Sequence, residues 1–196
     1  MGLNLPPPPK KGLDIIRDAL GSLVTQPESA AYAMAAEGTE NIVTAAPHKI
    51  YFVGLEDIAA GRVLSAARFV GWRYIILSRD DPRAAAELSV DDSGGNLEFS
   101  QVNQGPYVGS TIEGFSFAEG LDEVQTNDYE VRLIKIPALY IIGLWLHGQA
   151  GEDLIIPLPP TRPELHPLTT YSEEDFKAAI QGAAARRLEF DETEQS

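Results

Sequence analysis

Apolar residues recur along this chain in two periods, and each period predicts a different element. From Gly12 to Leu23, Leu13, Ile16, Leu20 and Leu23 stand three or four residues apart, the stripe of an amphipathic helix. Pro27 then opens the alanine-rich stretch Glu28 to Glu37. A second helix is expected there, with Pro27 at its first position and Gly38 at its stop. Ser172 to Arg187 reads as a third. Ser172 can cap it, Asp175 stands three residues on, and Phe176, Ile180 and Ala183 or Ala184 would share its buried face. Arg186 and Arg187 then fall near its C-terminus, where the helix dipole favours positive charge.

Alternation marks the strands. Lys49 to Val53 and Trp72 to Leu77 are short apolar or β-branched runs. Ala85 to Val90 and Leu97 to Val102 flank Asp91 to Asn96, a turn composition with two glycines. In the second of these, Leu97, Phe99 and Gln101 share one face and Glu98, Ser100 and Val102 the other. Leu55 to Val70 carries a rough helical stripe and is read as helix, although Gly61 inside it costs about 1 kcal/mol against alanine. Tyr107 to Phe117, after the break at Gly105-Pro106, is read as an irregular strand weakened by Gly109 and Gly114.

The richest segment is Tyr129 to Pro160. Tyr129, Val131 and Leu133 alternate with Glu130 and Arg132, and from Ala138 to Leu146 both faces are apolar. A bulge near Pro137 accounts for the change of phase, since proline cannot donate to a ladder; a short buried helix from Pro137 is the competing reading. Gly148 to Gly151 supplies a turn and Leu154 to Leu158 a hairpin partner, before a proline cluster forbids regular structure.

These elements predict an α+β fold: a mainly antiparallel sheet of five to seven strands, with N- and C-terminal helices packed on it. Residues 1–11, with Pro6 to Pro9 in polyproline II form, are expected to be a flexible arm. Residues 12–187 are expected to form a single domain and residues 188–196 an acidic tail.

Composition narrows the function. The 196 residues carry 29 acidic and 15 basic side chains, a formal net charge of −14, which repels phosphate backbones and anionic lipid. Nucleic acid and membrane are therefore not expected partners, and no apolar run reaches the roughly 20 residues of a membrane helix. Cysteine is absent, which removes disulfides and thiolate chemistry and fits a cytoplasmic location.

Catalytic motifs are missing. No GxSxG, SxxK, HExxH, GxGxxG or Walker-type loop occurs. His48, His147 and His166 lack metal-ligand spacing and read as surface or strand-end residues. His147 is the most informative, because it ends an apolar strand at a glycine turn with Glu152 and Asp153 close behind to orient its ring. The acidic pairs Glu56-Asp57, Asp80-Asp81, Asp91-Asp92 and Glu152-Asp153 read as solvated turn carboxylates. The aromatics, Tyr140 and Trp145 included, read as core, while Tyr107 sits in an irregular loop of the kind that carries binding residues.

The reading that follows is a non-catalytic cytoplasmic module that binds a protein partner or self-assembles, with no cofactor and no metal. The alternative is a small enzyme or small-ligand-binding protein with a pocket between helix and sheet. For either, the candidate binding residues are His147, Tyr107, Arg73 and Glu152.

Overall fold

A computed structural model of the protein describes residues 2–23, 42–78, 81–91, 95–149 and 152–194. Its strands are β1 (Gly2–Asn4), β2 (Ile42–Phe52), β3 (Arg68–Ser78), β4 (Asp81–Val90), β5 (Leu97–Asn103), β6 (Asp128–Ile136), β7 (Ile141–Gly148) and β8 (Leu154–Pro157). Its helices are α1 (Gly12–Leu23), α2 (Leu55–Ala59), α3 (Pro106–Glu119), α4 (Asp122–Thr126) and α5 (Glu173–Glu194). The hydrogen-bonded order is β5-β4-β3-β2-β6-β7-β8, with β1 on β6, which makes eight strands among the described residues where five to seven were expected. The fold is mixed α+β. β3–β4, β4–β5, β6–β7 and β7–β8 pair antiparallel, and β1–β6 pair parallel.

The chain forms two compact units, the first from residues 1–4, 50–69 and 113–196, the second from residues 5–49 and 70–112. In the second, α1 spans the residues its periodicity marks and buries Ile16 and Leu20, while Leu13 stays 42% exposed. Gly12 lies directly against the Tyr74 hydroxyl, so a Cβ at that position would collide with it. Ile75, Ala85 and Val108 form a small core. The β4–β5 hairpin is as its pattern indicates. Asp91 holds the turn by accepting the Gly95 N–H at 3.0 Å and the Asn96 amide at 2.6 Å.

The first unit holds the larger core, in which Ile134, Ile136, Ile141, Trp145 and Ile155 of the strands meet Phe176, Ile180 and Ala184 of α5. The start of α5 is set by a reciprocal cap. Ser172 Oγ accepts the Asp175 N–H at 3.1 Å and donates to Asp175 Oδ2 at 2.7 Å. This helix also pins residues 59–64, through Glu173 to the Leu64 N–H (2.9 Å) and Gln181 to the Ala59 carbonyl (3.0 Å).

Several expectations are corrected. Residues 2–4 of the expected arm are strand β1, and Pro6 is buried. Leu55 to Val70 is not one helix: Gly61 at φ +77° ends α2, and Arg62 N–H closes onto the Asp57 carbonyl at 2.8 Å. Tyr107 to Phe117 is helical, not a strand. Pro106 occupies the first position of α3, and the buried stripe of Val108, Thr111, Gly114 and Ala118 is too small and polar to advertise a helix. Pro137 marks a chain reversal rather than a bulge. It opens a 3₁₀ turn over Pro137–Leu139, and Ile136 pairs with Ile141 across a β6–β7 hairpin. Residues 141–146 are accordingly strand. The helix α5 runs past Arg187 to Glu194, so its arginines lie well inside it and its last turn holds no basic residue. The helix expected over Glu28 to Glu37 lies outside the described residues.

Candidate functional site

Of the four candidate residues, His147 and Glu152 belong to the first unit, and Arg73 and Tyr107 to the second.

In the first unit, the β6–β7 register sets Glu130 opposite His147 and Arg132 opposite Trp145, which places four side chains on one face. His147 Nδ1 lies 2.8 Å from Asp153 Oδ1, and the same oxygen accepts the Gly148 N–H at 3.1 Å. The expected carboxylate partner is thus present, and it is Asp153. It fixes the imidazole's orientation and commits one ring nitrogen. Beside it, the Arg132 guanidinium lies 4.5 Å from the Trp145 ring centre and 5.0 Å from that of Tyr51, and donates to Glu130 at 2.7 Å. Burial raises the Tyr51 hydroxyl's pKa, with Arg132 opposing and Glu130 adding to the shift. Glu152 instead lines a separate polar cleft of about 230 Å³ with Asp128, Tyr129, Gly148 and Gln149.

In the second unit, Arg73 is 1% exposed. Its Nη1 faces Glu87 at 3.8 Å, and Glu87 accepts from Gln101 at 2.9 Å. Its Nη2 donates to the Tyr107 carbonyl at 3.3 Å, an oxygen that also accepts from Thr111 at 2.5 Å. Arg73 and Tyr107 therefore do meet, but through a backbone oxygen that ties the first turn of α3 to β3. Burial lowers the Arg73 pKa, partly offset by Glu87. His48, expected at a surface or strand end, is buried within β2, its Nδ1 2.7 Å from the Ala46 carbonyl.

A third feature, in the first unit, involves residues that patterning assigned to the core or to helix ends. Tyr140 closes the β6–β7 turn in the left-handed region, at φ 55° and ψ 36°, with its side chain 82% exposed. Large residues rarely adopt that conformation. Across from it on α5, Phe190 is 52% exposed and Arg187 lies over its ring at 5.5 Å. Between them runs a groove of about 250 Å³ lined by Ala138, Leu139, Tyr140, Arg162, Ala183, Arg186, Arg187 and Phe190. Buried Leu139 and Ala183 belong to its apolar lining. Glu164 orders two of the arginines, accepting from Arg162 at 3.2 and 3.3 Å and pairing with Arg186 at 3.5 Å. The Arg162 hydrogen bond is the main reason the Glu164 pKa is lowered.

Among the described residues, no three metal-ligating side chains converge, and no helix is long and apolar enough to cross a membrane. The chain matches no family model, and neither curated proteins nor solved structures yield a similar chain.

Proposed function

We propose that this chain is a protein-interaction module and that it docks its partner in the Tyr140–Phe190 groove. The observation that carries the reading is Tyr140 itself: a large aromatic side chain held almost wholly in solvent, in a conformation that costs free energy. Folding alone favours burying such a ring. Five large apolar side chains are exposed among the described residues, and the two aromatic ones share this groove. Aromatic residues and arginines together are the side chains that most often dominate binding energy at interfaces. The volume is below the roughly 300–1,000 Å³ of small-molecule pockets, which suits anchoring side chains of a larger partner.

The test is affinity capture with the full chain, alongside size-exclusion chromatography with light scattering. The wild type is expected to retain a partner or a second copy that Tyr140→Ser/Phe190→Ser loses. A strict monomer that captures nothing, or a double variant that captures the same species, overturns the reading.

One observation favours a second reading, a small-ligand site. Asp153 orients the half-exposed His147 next to the Trp145–Arg132 pair, a polar group beside an aromatic surface. A thermal-shift screen of metals, nucleotides and metabolites decides it. The reading requires stabilisation that His147→Ala abolishes, and it fails if no compound stabilises the wild type.

A further inference from the structure

We infer that the occupant of the Tyr140–Phe190 groove is an acidic peptide segment bearing one large apolar anchor, an inference that rests on the docking reading above. The groove's lining contains three arginines and no carboxylate, in a chain with only 15 basic residues and a formal net charge of −14. Elsewhere the net field repels an acidic segment, so the arginine rim is a local attractor and also sets register.

The arginines are held rather than loose. Glu164 braces Arg162 and Arg186 through their guanidinium nitrogens, and Phe190 carries Arg187 over its ring. Glu164 takes the Nε–Nη2 edge of Arg162, so the bracing fixes where the positive charge stands and lowers the entropy lost when an acidic segment is drawn to it. The apolar lining supplies the other half of the recognition. Leu139 and Ala183 are buried, Tyr140 and Phe190 are exposed, and the space suits a leucine or an aromatic ring. A basic segment would meet three guanidinium groups offset only by the single carboxylate of Glu164, so charge sorts the two classes of peptide.

The experiment selects random dodecapeptides on the immobilised full chain, then measures a fluorescein-labelled form of the enriched peptide by fluorescence anisotropy. Enriched sequences are expected to carry several Asp or Glu residues around one Leu, Phe or Trp. Their affinity should fall about tenfold or more in Arg186→Glu/Arg187→Glu, where two attractions become repulsions, and should weaken with added salt. The melting curve of that variant, followed by circular dichroism, checks that it folds; Arg186 is 69% exposed, so little change is expected. Neutral or basic peptides that still require Tyr140 and Phe190 would overturn the acidic occupant and leave the docking groove intact. Failure to enrich any peptide, or binding indifferent to both double variants, would remove the groove as well.

Discussion

Replacing Tyr140 with glycine should separate what this residue does for the fold from what it does at the surface. At φ 55° and ψ 36° an L side chain pays about 1–2 kcal/mol for its Cβ contacts, which glycine avoids. Glycine also frees the unfolded chain, returning about 0.4–1 kcal/mol of that gain. The ring is 82% exposed, so at most a fifth of the roughly 1.5–3 kcal/mol of a fully buried ring is forfeited, about 0.3–0.6 kcal/mol. These contributions leave Tyr140→Gly within about 1 kcal/mol of the wild type. Tyr140→Ala forfeits the same burial but keeps a Cβ in the left-handed region, so it should be the less stable by about 1 kcal/mol. Urea unfolding followed by circular dichroism, with midpoints compared at a common slope, measures both. Two results go against these values: a loss of more than about 1.5 kcal/mol in Tyr140→Gly, or an alanine variant of equal stability. The first result would mean that the ring contributes to the fold and is not held out for a partner; the second would mean that a Cβ carries no cost in the left-handed backbone at position 140.

Within α3, Gly114→Ala places a Cβ 2.6 Å from Leu158 and 2.9 Å from Leu144, both buried, and should cost about 1–3 kcal/mol in urea unfolding. Gly109→Ala meets nothing within 4 Å and should gain up to about 1 kcal/mol by the same measurement. Arg73→Met removes the buried ion-pair partner of Glu87 and should cost about 3 kcal/mol or more, much of it recovered in Arg73→Met/Glu87→Met. Tyr74 has a buried hydroxyl with no hydrogen-bond partner among the described residues, so Tyr74→Phe should stabilise the chain by about 1 kcal/mol. Burial pushes the pKa of that hydroxyl from the ordinary 10.0 up to about 12. A raised folded-state pKa contributes stability that is complete below pH 10 and is lost as pH rises from 10 towards 12. Urea midpoints across that window should therefore fall less steeply in Tyr74→Phe than in the wild type.

The parts of this fold legible in the sequence are those whose buried residues are large. The stripe containing Ile16 and Leu20 marks α1, and Ser172 with Asp175, Phe176 and Ile180 marks the start and inner face of α5. Asp91 and its glycines identify the β4–β5 turn. Legibility fails where small or polar residues are buried. Thr111 and Gly114 line the inner face of α3, and their sizes match no apolar period. Pro137 is ambiguous for another reason, because a proline that stops a ladder fits a bulge or the start of a short helix, and the structure has a 3₁₀ turn there inside a hairpin that only the Ile136–Ile141 pairing discloses.

At the candidate sites, the His147–Asp153 contact was readable because its members lie six residues apart across one hairpin. The Arg73–Glu87 pair is a cross-strand contact whose register a single sequence does not disclose. The groove was invisible. Its residues come from a turn at 138–140, a proline-rich segment at 162 and α5, and an aromatic residue ordinarily signals core. The signal available was Tyr140 beside a turn and two adjacent arginines ahead of Phe190.

Photocrosslinking from position 140 shows whether the Tyr140–Phe190 groove docks a protein partner. Tyr140 is replaced with benzoylphenylalanine in the full chain, and Val43, another exposed apolar position at 57%, serves as the control. A docked partner gives a discrete crosslinked species from position 140, absent from position 43 and abolished by Phe190→Ser. No adduct at position 140, or an adduct indifferent to Phe190, would contradict it.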